Sequence, residues 1–196
     1  MNSKVICITG GIGSGKSTVC ALIEQRGFPV YYSDTRAKEL MEGDSKVVDA
    51  ITALFSEAVY QDGALNRRFL ADQIFTNPTL KARLEAIVHP AVRADFKTWC
   101  SDQSTSLVFK ESALALEVAD DSCSRIVSVI ADRELRIARV LCRNMDWSLS
   151  QVLERMKHQT SDAERVERSD FIVRNDHDID DLDTEVDQLL TMLNDT

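Results

Sequence analysis

A glycine-rich segment near the N-terminus constrains the fold of this 196-residue chain more than any other feature. Residues 10–17 read GGIGSGKS, a glycine followed by four residues and then by Gly-Lys-Ser. An apolar run at residues 4–9 precedes the segment, and a helical pattern of apolar residues from Ser17 to about Arg26 follows it. Because Gly27 ends that pattern, the sequence predicts a buried strand, a glycine-rich loop and a helix in direct succession.

This spacing is that of a P-loop, in which backbone N–H groups surround a polyphosphate. Glycine lets the backbone approach the phosphates with positive φ angles, and the N-terminus of the next helix faces them with unpaired N–H groups. A chance glycine-rich turn is the alternative, and the flanking strand and helix patterns argue against it. Lys16 is predicted to reach the β- and γ-phosphates, and the Ser17 hydroxyl to bind Mg²⁺. The residues predicted to bind the nucleoside triphosphate in this loop are Gly11, Ile12, Gly13, Ser14, Gly15, Lys16, Ser17 and Thr18.

Alternating strand and helix patterns indicate the fold class. Further strand patterns lie at residues 28–34, 106–111, 124–131 and 170–175. Strands that alternate with helices predict an α/β fold, here a three-layer fold of the P-loop NTPase type with a central parallel five-stranded sheet. We expect one domain over the whole chain.

Two helical stretches are predicted to lie outside the basic fold. The pattern from Thr35 to about Gln103 is dominantly helical, and the residues between about 60 and 100 are too many for one crossover. We therefore expect a helical, acceptor-binding insertion there, at the sheet edge where ligands bind in such folds. Residues from about 132 to 157 form the second stretch, a predicted arginine-rich lid.

The acidity of the chain is a local property of its C-terminus. The net charge is −9, and residues 175–196 hold eight acidic side chains with no Lys or Arg. This pattern predicts the solvated face of a last helix, and it does not argue against a phosphorylated substrate. The residues expected on the inward face of that helix are Leu182, Val186, Leu189, Leu190 and Leu193.

Cysteine usage and hydropathy indicate the compartment. The five cysteines show no Cys-x-x-Cys spacing, and the positions of Cys7 and Cys20 favour buried thiols over metal or redox roles. No apolar stretch approaches the roughly 18 residues of a membrane helix, and the N-terminus lacks a signal-peptide pattern. We expect a cytoplasmic protein with neither a membrane nor a nucleic acid as partner.

The P-loop occurs in GTP switches, motor ATPases and kinases. A GTPase needs an Asn-Lys-x-Asp guanine reader, which the sequence lacks, and a large motor needs a longer chain. A small-molecule kinase needs an acid near the γ-phosphate, and Asp34 ends the second strand pattern. Its carboxylate is predicted to orient or deprotonate an acceptor hydroxyl, or to hold Mg²⁺ through water. The alternative is an N-cap for the helix expected from Thr35.

Four arginines share one face of a predicted helix, with Ile137, Ala138 and Leu141 on the other side. Such a cluster suits a lid that stabilises an anionic phosphoryl transition state. The alternative is a solvated helix paired with Glu134 and acids of the C-terminal tail. The four residues are Arg133, Arg136, Arg139 and Arg143.

With these residues, nearly the whole chain resembles the dephospho-coenzyme A kinase family. Two of the matching segments, DGALNRRFLADQIF and LEAIVHPAV, are together more specific to this family than the P-loop, which many kinases share. The segments that resemble the family are ITGGIGSGKSTV at the P-loop, DGALNRRFLADQIF at 62–75, LEAIVHPAV at 84–92, VYYSDTRAKEL at 30–40, ESALALE at 111–117 and RELRIARVLCRN at 133–144.

The resemblance implies transfer of the ATP γ-phosphoryl group to the ribose 3′-hydroxyl of dephospho-CoA. Asp34 would then orient or deprotonate that hydroxyl, and Lys16 and Arg139 would neutralise the phosphoryl group. Arg143 and Asn175 would lie near ATP. The residues that the resemblance places at the acceptor pocket are Arg67, Arg68, His89 and Glu117.

Several alternatives stay open at this point. His89, before Pro90, has a structural alternative, which is to fix a helix junction, and either Arg67 or Arg68 has the alternative of pairing with an acid of the insertion. The family often has an acid at the place of Tyr32, and its absence here leaves Asp34 and Ser17 with the metal. Glu111, at the end of the LVF strand pattern, is a candidate for the place of a Walker B acid. Another small kinase, for nucleosides or nucleoside monophosphates, and a nucleotide-binding regulatory module are the alternative functions. A monomer is expected, with an oligomer as the alternative.

Overall fold

The computed structural model describes residues 3–75, 77–117 and 121–194. Within these residues the chain forms seven β-strands and nine α-helices. The strands are β1 (Lys4–Gly10), β2 (Val30–Tyr32), β3 (Tyr60–Gln61), β4 (Ala64–Leu65), β5 (Leu107–Glu111), β6 (Arg125–Ile130) and β7 (Phe171–Arg174). The helices are α1 (Lys16–Gln25), α2 (Ser33–Gly43), α3 (Ser45–Phe55), α4 (Arg67–Phe75), α5 (Pro78–Ser101), α6 (Arg133–Arg143), α7 (Leu149–Lys157), α8 (Asp162–Arg168) and α9 (Ile179–Asn194).

A five-stranded sheet with the order β2-β5-β1-β6-β7 forms the centre of the fold. The strand that leads into the glycine-rich loop is the middle one, and β5 and β6 both pair with it in parallel. The predicted α/β class with a central parallel five-stranded sheet is confirmed. Because parallel strands align their carboxyl ends, the loop after β1 and the end of β5 lie at the same edge of the sheet.

The strands of the sheet are buried on both faces, which explains why they could be predicted from apolar runs in the sequence. Ile6, Ile8, Val108, Phe109 and Val127 are fully buried, as expected for a parallel sheet covered by helices on both sides. The five residues expected on the inward face of the last helix are all buried in α9, so that prediction is confirmed.

The chain divides into two compact units. The first comprises Met1–Tyr31 and Gln103–Thr196, and the second Tyr32–Asp102. In the second unit, α5 has an apolar stripe of residues at i, i+4 spacing. The apolar face of the amphipathic helix α3 packs against α5. Asp44 caps α3 by accepting hydrogen bonds from the backbone of Lys46 and Val47.

Residues 35–103 are dominantly helical as expected, with one segment that is not helical in the α form. A 3₁₀ turn over Glu57–Val59 leads into a hairpin of β3 and β4. Asp62 and Gly63 form its turn with φ angles of 51° and 80°. Asp-Gly is a preferred pair for such two-residue hairpin turns, and it was the local signal for this element.

The cysteines differ in part from the expectation. Cys20 is a buried thiol, and burial raises its pKa above the ordinary value. Cys7 is instead paired in a disulfide with Cys123, which lies 116 residues further along the chain just before β6. The pairing was missed because it depends on the position of β6 beside β1, which no spacing in the sequence reveals.

Among the helices in the described part of the chain, none is both long enough and apolar enough to cross a bilayer.

Candidate active site

The loop between β1 and α1 requires glycine at two positions. Gly13 has a φ of 78° and Gly15 a φ of 95°, in the region that side-chain-bearing residues rarely adopt. A Cβ atom at Gly13 would lie 2.4 Å from the backbone oxygen of Arg136, and one at Gly15 would lie 2.0 Å from Nδ2 of Asn175. The loop therefore needs glycine both for its backbone angles and for the close approach of neighbouring groups.

Gly13→Ala is expected to weaken ATP binding by at least about tenfold, because strain at positive φ of about 1 kcal/mol or more adds to the clash with a backbone oxygen. Isothermal titration calorimetry with ATP measures the affinity, and a thermal melt measures the accompanying loss of stability. Gly43→Ala is the matched control, since an added Cβ at Gly43 meets nothing within 4 Å. Wild-type affinity in the Gly13 variant would contradict the assignment of this loop.

Cationic and polar groups line the start of α1. The helix begins at Lys16, one residue before the predicted start, and Ser17 and Thr18 are exposed in its first turn. The Lys16 ammonium donates a hydrogen bond to the backbone oxygen of Gly10 at 2.8 Å, so it folds back over the loop. Together with the N-terminal N–H groups of α1, this arrangement suits a polyphosphate.

Both polar groups of Ile12 in the loop are held by side chains from later in the chain. Nε of Arg136 donates to the backbone oxygen of Ile12 at 3.0 Å, and the backbone N–H of Ile12 donates to Oε1 of Gln159 at 2.8 Å. Arg136 is itself fixed by Asp162, whose carboxylate oxygens lie 2.7 and 2.9 Å from Nη1. The loop backbone is therefore supported by α6 and by the turn between α7 and α8.

Asn175 joins the loop to one of the predicted catalytic arginines. Its Nδ2 donates to the backbone oxygen of Ser14 at 2.8 Å. Arg139 donates to the backbone oxygen of Asn175 at 2.9 Å and to its Oδ1 at 3.1 Å. The structure thus brings Arg139, Asn175 and the P-loop together, while Arg143 is exposed at the last position of α6.

The packing of α6 corrects the expectation about its arginines. Arg136 is only 5% exposed and, with Val140 one turn later, forms the buried face of the helix, whereas Ala138 is exposed. The prediction that all four arginines share one mobile or solvated face of the helix is therefore wrong for Arg136. Its guanidinium tolerates burial because the Asp162 carboxylate and the Ile12 carbonyl satisfy it.

Glu117 forms an ionic network with the buried side chain of Arg165 near the end of β1. Its Oε1 accepts hydrogen bonds from Oγ1 of Thr160 at 2.6 Å and from Nη2 of Arg165 at 3.3 Å, and Nη1 of Arg165 also donates to Oγ1 of Thr9. Burial raises the pKa of the Glu117 carboxyl, but the hydrogen bonds from Thr160 and the charge of Arg165 outweigh it and hold the pKa below its usual value. Burial lowers the pKa of Arg165, whose side chain is fully enclosed.

The remaining predicted residues lie in the second unit. Asp34 is exposed in the first turn of α2, and Tyr32 occupies the N-cap position, so the alternative N-cap role of Asp34 is wrong. Arg67 pairs with Glu42 of α2 at 3.0 Å, an acid outside the predicted insertion rather than within it, and Arg68 is exposed. His89 lies inside the continuous helix α5, so the predicted helix junction at this histidine is wrong.

The oxygen atoms near the loop fit a magnesium ion shared with phosphates. Mg²⁺ in kinases is held by one or two protein oxygens together with substrate phosphates rather than by a protein cage. Ser17 offers a hydroxyl in the first turn of α1, and Glu111 ends β5 in register with Ile8 of β1. In residues 3–75, 77–117 and 121–194, no group of three or more His, Cys, Asp or Glu side chains forms a metal cage.

Comparison with known proteins identifies the family of this chain. The model of the dephospho-CoA kinase family matches residues 4–181. The chain belongs to the dephospho-CoA kinase family. The reaction of this family is the ATP-dependent phosphorylation of dephospho-CoA in coenzyme A biosynthesis, and the chain is a transferase of this kind.

Individual relatives agree with the family model. A dephospho-CoA kinase from Salinibacter ruber is 42% identical over 180 residues, which cover 89% of this chain and 90% of that protein. The crystal structure of TT1252 from Thermus thermophilus has a TM-score of 0.87 and 34% identity and covers 98% of this chain and 99% of that one. A dephospho-CoA kinase from Campylobacter jejuni, with a TM-score of 0.68, 22% identity and 96% of each chain covered, supports the fold.

Several residues of the site were missed by sequence reasoning. Gln159, Asp162 and Arg165 all come from the region of α7 and α8. Gln159 reaches Ile12 of the P-loop and Arg165 reaches Glu117 across more than forty residues of sequence, whereas Asp162 fixes Arg136, which lies 26 residues earlier in the chain. The capping box of Ser161 with Glu164 was a local signal for the start of α8. No local signal marks the contact of Gln159 with Ile12, because it depends on how α7 packs beside the loop.

Proposed function

We propose that this chain transfers the γ-phosphoryl group of ATP to the ribose 3′-hydroxyl of dephospho-CoA, with Mg²⁺ as cofactor. The P-loop of this family member is the observation that supports the proposal most strongly. It combines glycines at positive φ, the N-terminus of α1 and the Lys16 ammonium, which folds back over the loop. Phosphoryl transfer asks a protein chiefly for positioning and charge stabilisation, and these groups supply both.

Lys16 and Arg139 are the proposed cationic partners of the transferring phosphoryl group. Lys16 lies over the loop, and Arg139 reaches the loop through Asn175, which holds the Ser14 carbonyl. Both cations are fixed by hydrogen bonds before a nucleotide arrives. Charges that are already in place cost little reorganisation when negative charge shifts in the transition state.

Asp34 is the proposed carboxylate for the acceptor hydroxyl. It is exposed in the first turn of α2, and it stands at the matching position of the family segment in VYYSDTRAKEL. Arg67, Arg68, His89 and Glu117 are proposed to shape the acceptor site. The support for these four is the resemblance of their segments to the family, and Glu117 already holds a hydrogen-bonded position in the first unit.

Mg²⁺ is proposed to bind at Ser17, with Asp34 in contact through a water molecule. When bound, the ion supplies charge neutralisation and orientation of the phosphates. The Ser17 hydroxyl is presented by the first turn of α1, next to the helix N–H groups. Glu111 at the end of β5 is a further proposed carboxylate for this ion.

We also propose that the protein acts as a monomer in the cytoplasm. The P-loop and its supports Arg136, Gln159 and Asn175 come from one copy of the chain. Size-exclusion chromatography with light scattering gives the mass in solution, and a dimer mass would contradict this part of the proposal.

Incubation with ATP, Mg²⁺ and dephospho-CoA tests the proposed function, with product detection by mass spectrometry. We expect coenzyme A, one phosphoryl group heavier than the acceptor, in equal amount to ADP. Chelation of Mg²⁺ with EDTA is expected to reduce the rate to background, and excess Mg²⁺ to restore it. Nucleosides and nucleoside monophosphates serve as competing acceptors. Faster phosphorylation of one of these, or ATP binding without acceptor-dependent ADP release, would replace the proposal by one of the alternatives.

A further inference from the structure

The side chain of Gln159 contacts the backbone of the P-loop, although Gln159 lies far from that loop in the sequence. It lies in the turn of residues 158–161 between α7 and α8, and its Oε1 accepts the backbone N–H of Ile12 at 2.8 Å. On the other side of the same residue, Arg136 donates to the Ile12 oxygen. The backbone N–H and the backbone oxygen of Ile12 are therefore both hydrogen-bonded to side chains and do not point to a ligand.

The orientation of the peptide groups around Ile12 determines where the following N–H groups point. Gly13 and Gly15 have positive φ angles, and glycine offers little resistance to rotation of the neighbouring peptides. Anchoring Ile12 on both sides removes that freedom at the entrance of the loop. The N–H groups that follow can then converge on a phosphate without first being ordered, which lowers the entropy cost of binding.

The turn that carries Gln159 is itself held at several points. Thr160 donates from its N–H and its hydroxyl to Glu117, Ser161 caps α8 with Glu164, and Asp162 pairs with Arg136. These contacts lie on both sides of Gln159 in the chain. Because its backbone is fixed in this way, its carboxamide is presented to Ile12 in one position.

We infer that Gln159 is a positioning residue for the nucleotide, acting through Ile12 to preset the P-loop in its phosphate-binding conformation. The inference rests on the proposed ATP-dependent function of this loop. Gln159 does not itself bind ATP. Its loss is expected to affect nucleotide binding far more than acceptor binding or the phosphoryl-transfer step.

Gln159→Met tests the inference because it keeps the length of the side chain and removes the acceptor oxygen. We expect the KM for ATP and the calorimetric Kd for ATP to rise about tenfold, as for loss of one hydrogen bond to a partly buried backbone group. The KM for dephospho-CoA is expected to stay unchanged, and kcat to stay within about threefold. Gln159→Asn, whose shorter side chain cannot reach Ile12, is a second variant with the same expected direction.

Gln151→Met is the matched control. Gln151 also accepts a backbone N–H at 2.8 Å, from Ser148 at the start of α7, but it has no contact with the P-loop among the described residues. A purely structural role of Gln159 would make the two methionine variants alike, with similar losses of Tm and equal ATP affinity. That result, or unchanged ATP affinity in both Gln159 variants, would overturn the inference.

Failure of the proposed function gives a different result. If the wild-type chain binds ATP but does not phosphorylate dephospho-CoA, the activity is wrong, and the Kd for ATP in the Gln159 variants still decides the positioning role. If the wild-type chain phosphorylates dephospho-CoA and the Gln159 variants bind ATP as tightly as it does, only the positioning role is wrong.

Discussion

Lys16→Met is expected to lower kcat/KM for phosphoryl transfer by about 10³-fold, because it removes a preorganised cation from the developing charge on the phosphoryl group. The Lys16 ammonium already lies over the loop, 2.8 Å from the Gly10 oxygen, so the wild-type chain needs little rearrangement to use it. A coupled assay of ADP release with dephospho-CoA as the acceptor measures the effect. A large part of the loss should fall on kcat, since the charge shifts most in the transition state.

Lys46→Met provides the comparison for this variant. Lys46 is an exposed lysine of α3, and the substitution changes the net charge of the chain by the same amount. We expect its kcat/KM to stay within about twofold of wild type, as for ordinary surface changes. Comparable losses in the Lys46 and Lys16 variants would show a general charge effect and remove Lys16 from the mechanism.

Asp34→Asn is expected to lower kcat by about 10²-fold or more, the usual reach of general acid–base catalysis, while ATP affinity stays unchanged. The asparagine keeps the size of the side chain and removes its charge and basicity. Steady-state kinetics with varied dephospho-CoA measures kcat, and calorimetry measures ATP binding. Asp49→Asn, at an exposed position of α3, is the matched control and is expected to leave both quantities at their wild-type values.

The Asp34 variant also separates the two proposed roles of the carboxylate. If Asp34 mainly holds Mg²⁺ through water, raising the Mg²⁺ concentration should recover a substantial part of the lost rate. If it orients or deprotonates the acceptor hydroxyl, added Mg²⁺ should have no effect. Near-normal turnover of the variant at low Mg²⁺ would exclude both roles.

Features that depend on short stretches of sequence could be predicted. The P-loop was readable because glycine spacing, a buried strand and a following helix lie within about twenty residues of each other. The five strands of the central sheet were readable because parallel strands are apolar on both faces. The last helix was readable from its inward leucines, and the structure buries all five expected residues.

Features that depend on tertiary contacts were missed or misread. Arg136 looked like one member of a charged face, but Asp162 and the Ile12 carbonyl satisfy its guanidinium and allow it to be buried. Gln159 carries no local signal, because its importance arises only where the turn after α7 meets the P-loop. The disulfide of Cys7 with Cys123 was missed for the same reason.

The hairpin of β3 and β4 shows a different kind of error. Its turn residues, Asp62 and Gly63, were visible in the sequence but were counted within a longer helical stretch. The two strands are only two residues each, too short for an alternating apolar pattern to emerge. Turn chemistry was the stronger signal at this position than periodicity.

A crystal structure with a non-hydrolysable ATP analogue and Mg²⁺ tests the central claim most directly. We expect the β- and γ-phosphates within hydrogen-bond distance of the N–H groups of residues 13–18, with Nζ of Lys16 in contact with a phosphate oxygen. Ile12 should still be held by Gln159 and Arg136 in that structure. Density for the triphosphate away from residues 13–18, with Nζ of Lys16 still donating to the Gly10 oxygen and in contact with no phosphate, would contradict the central claim.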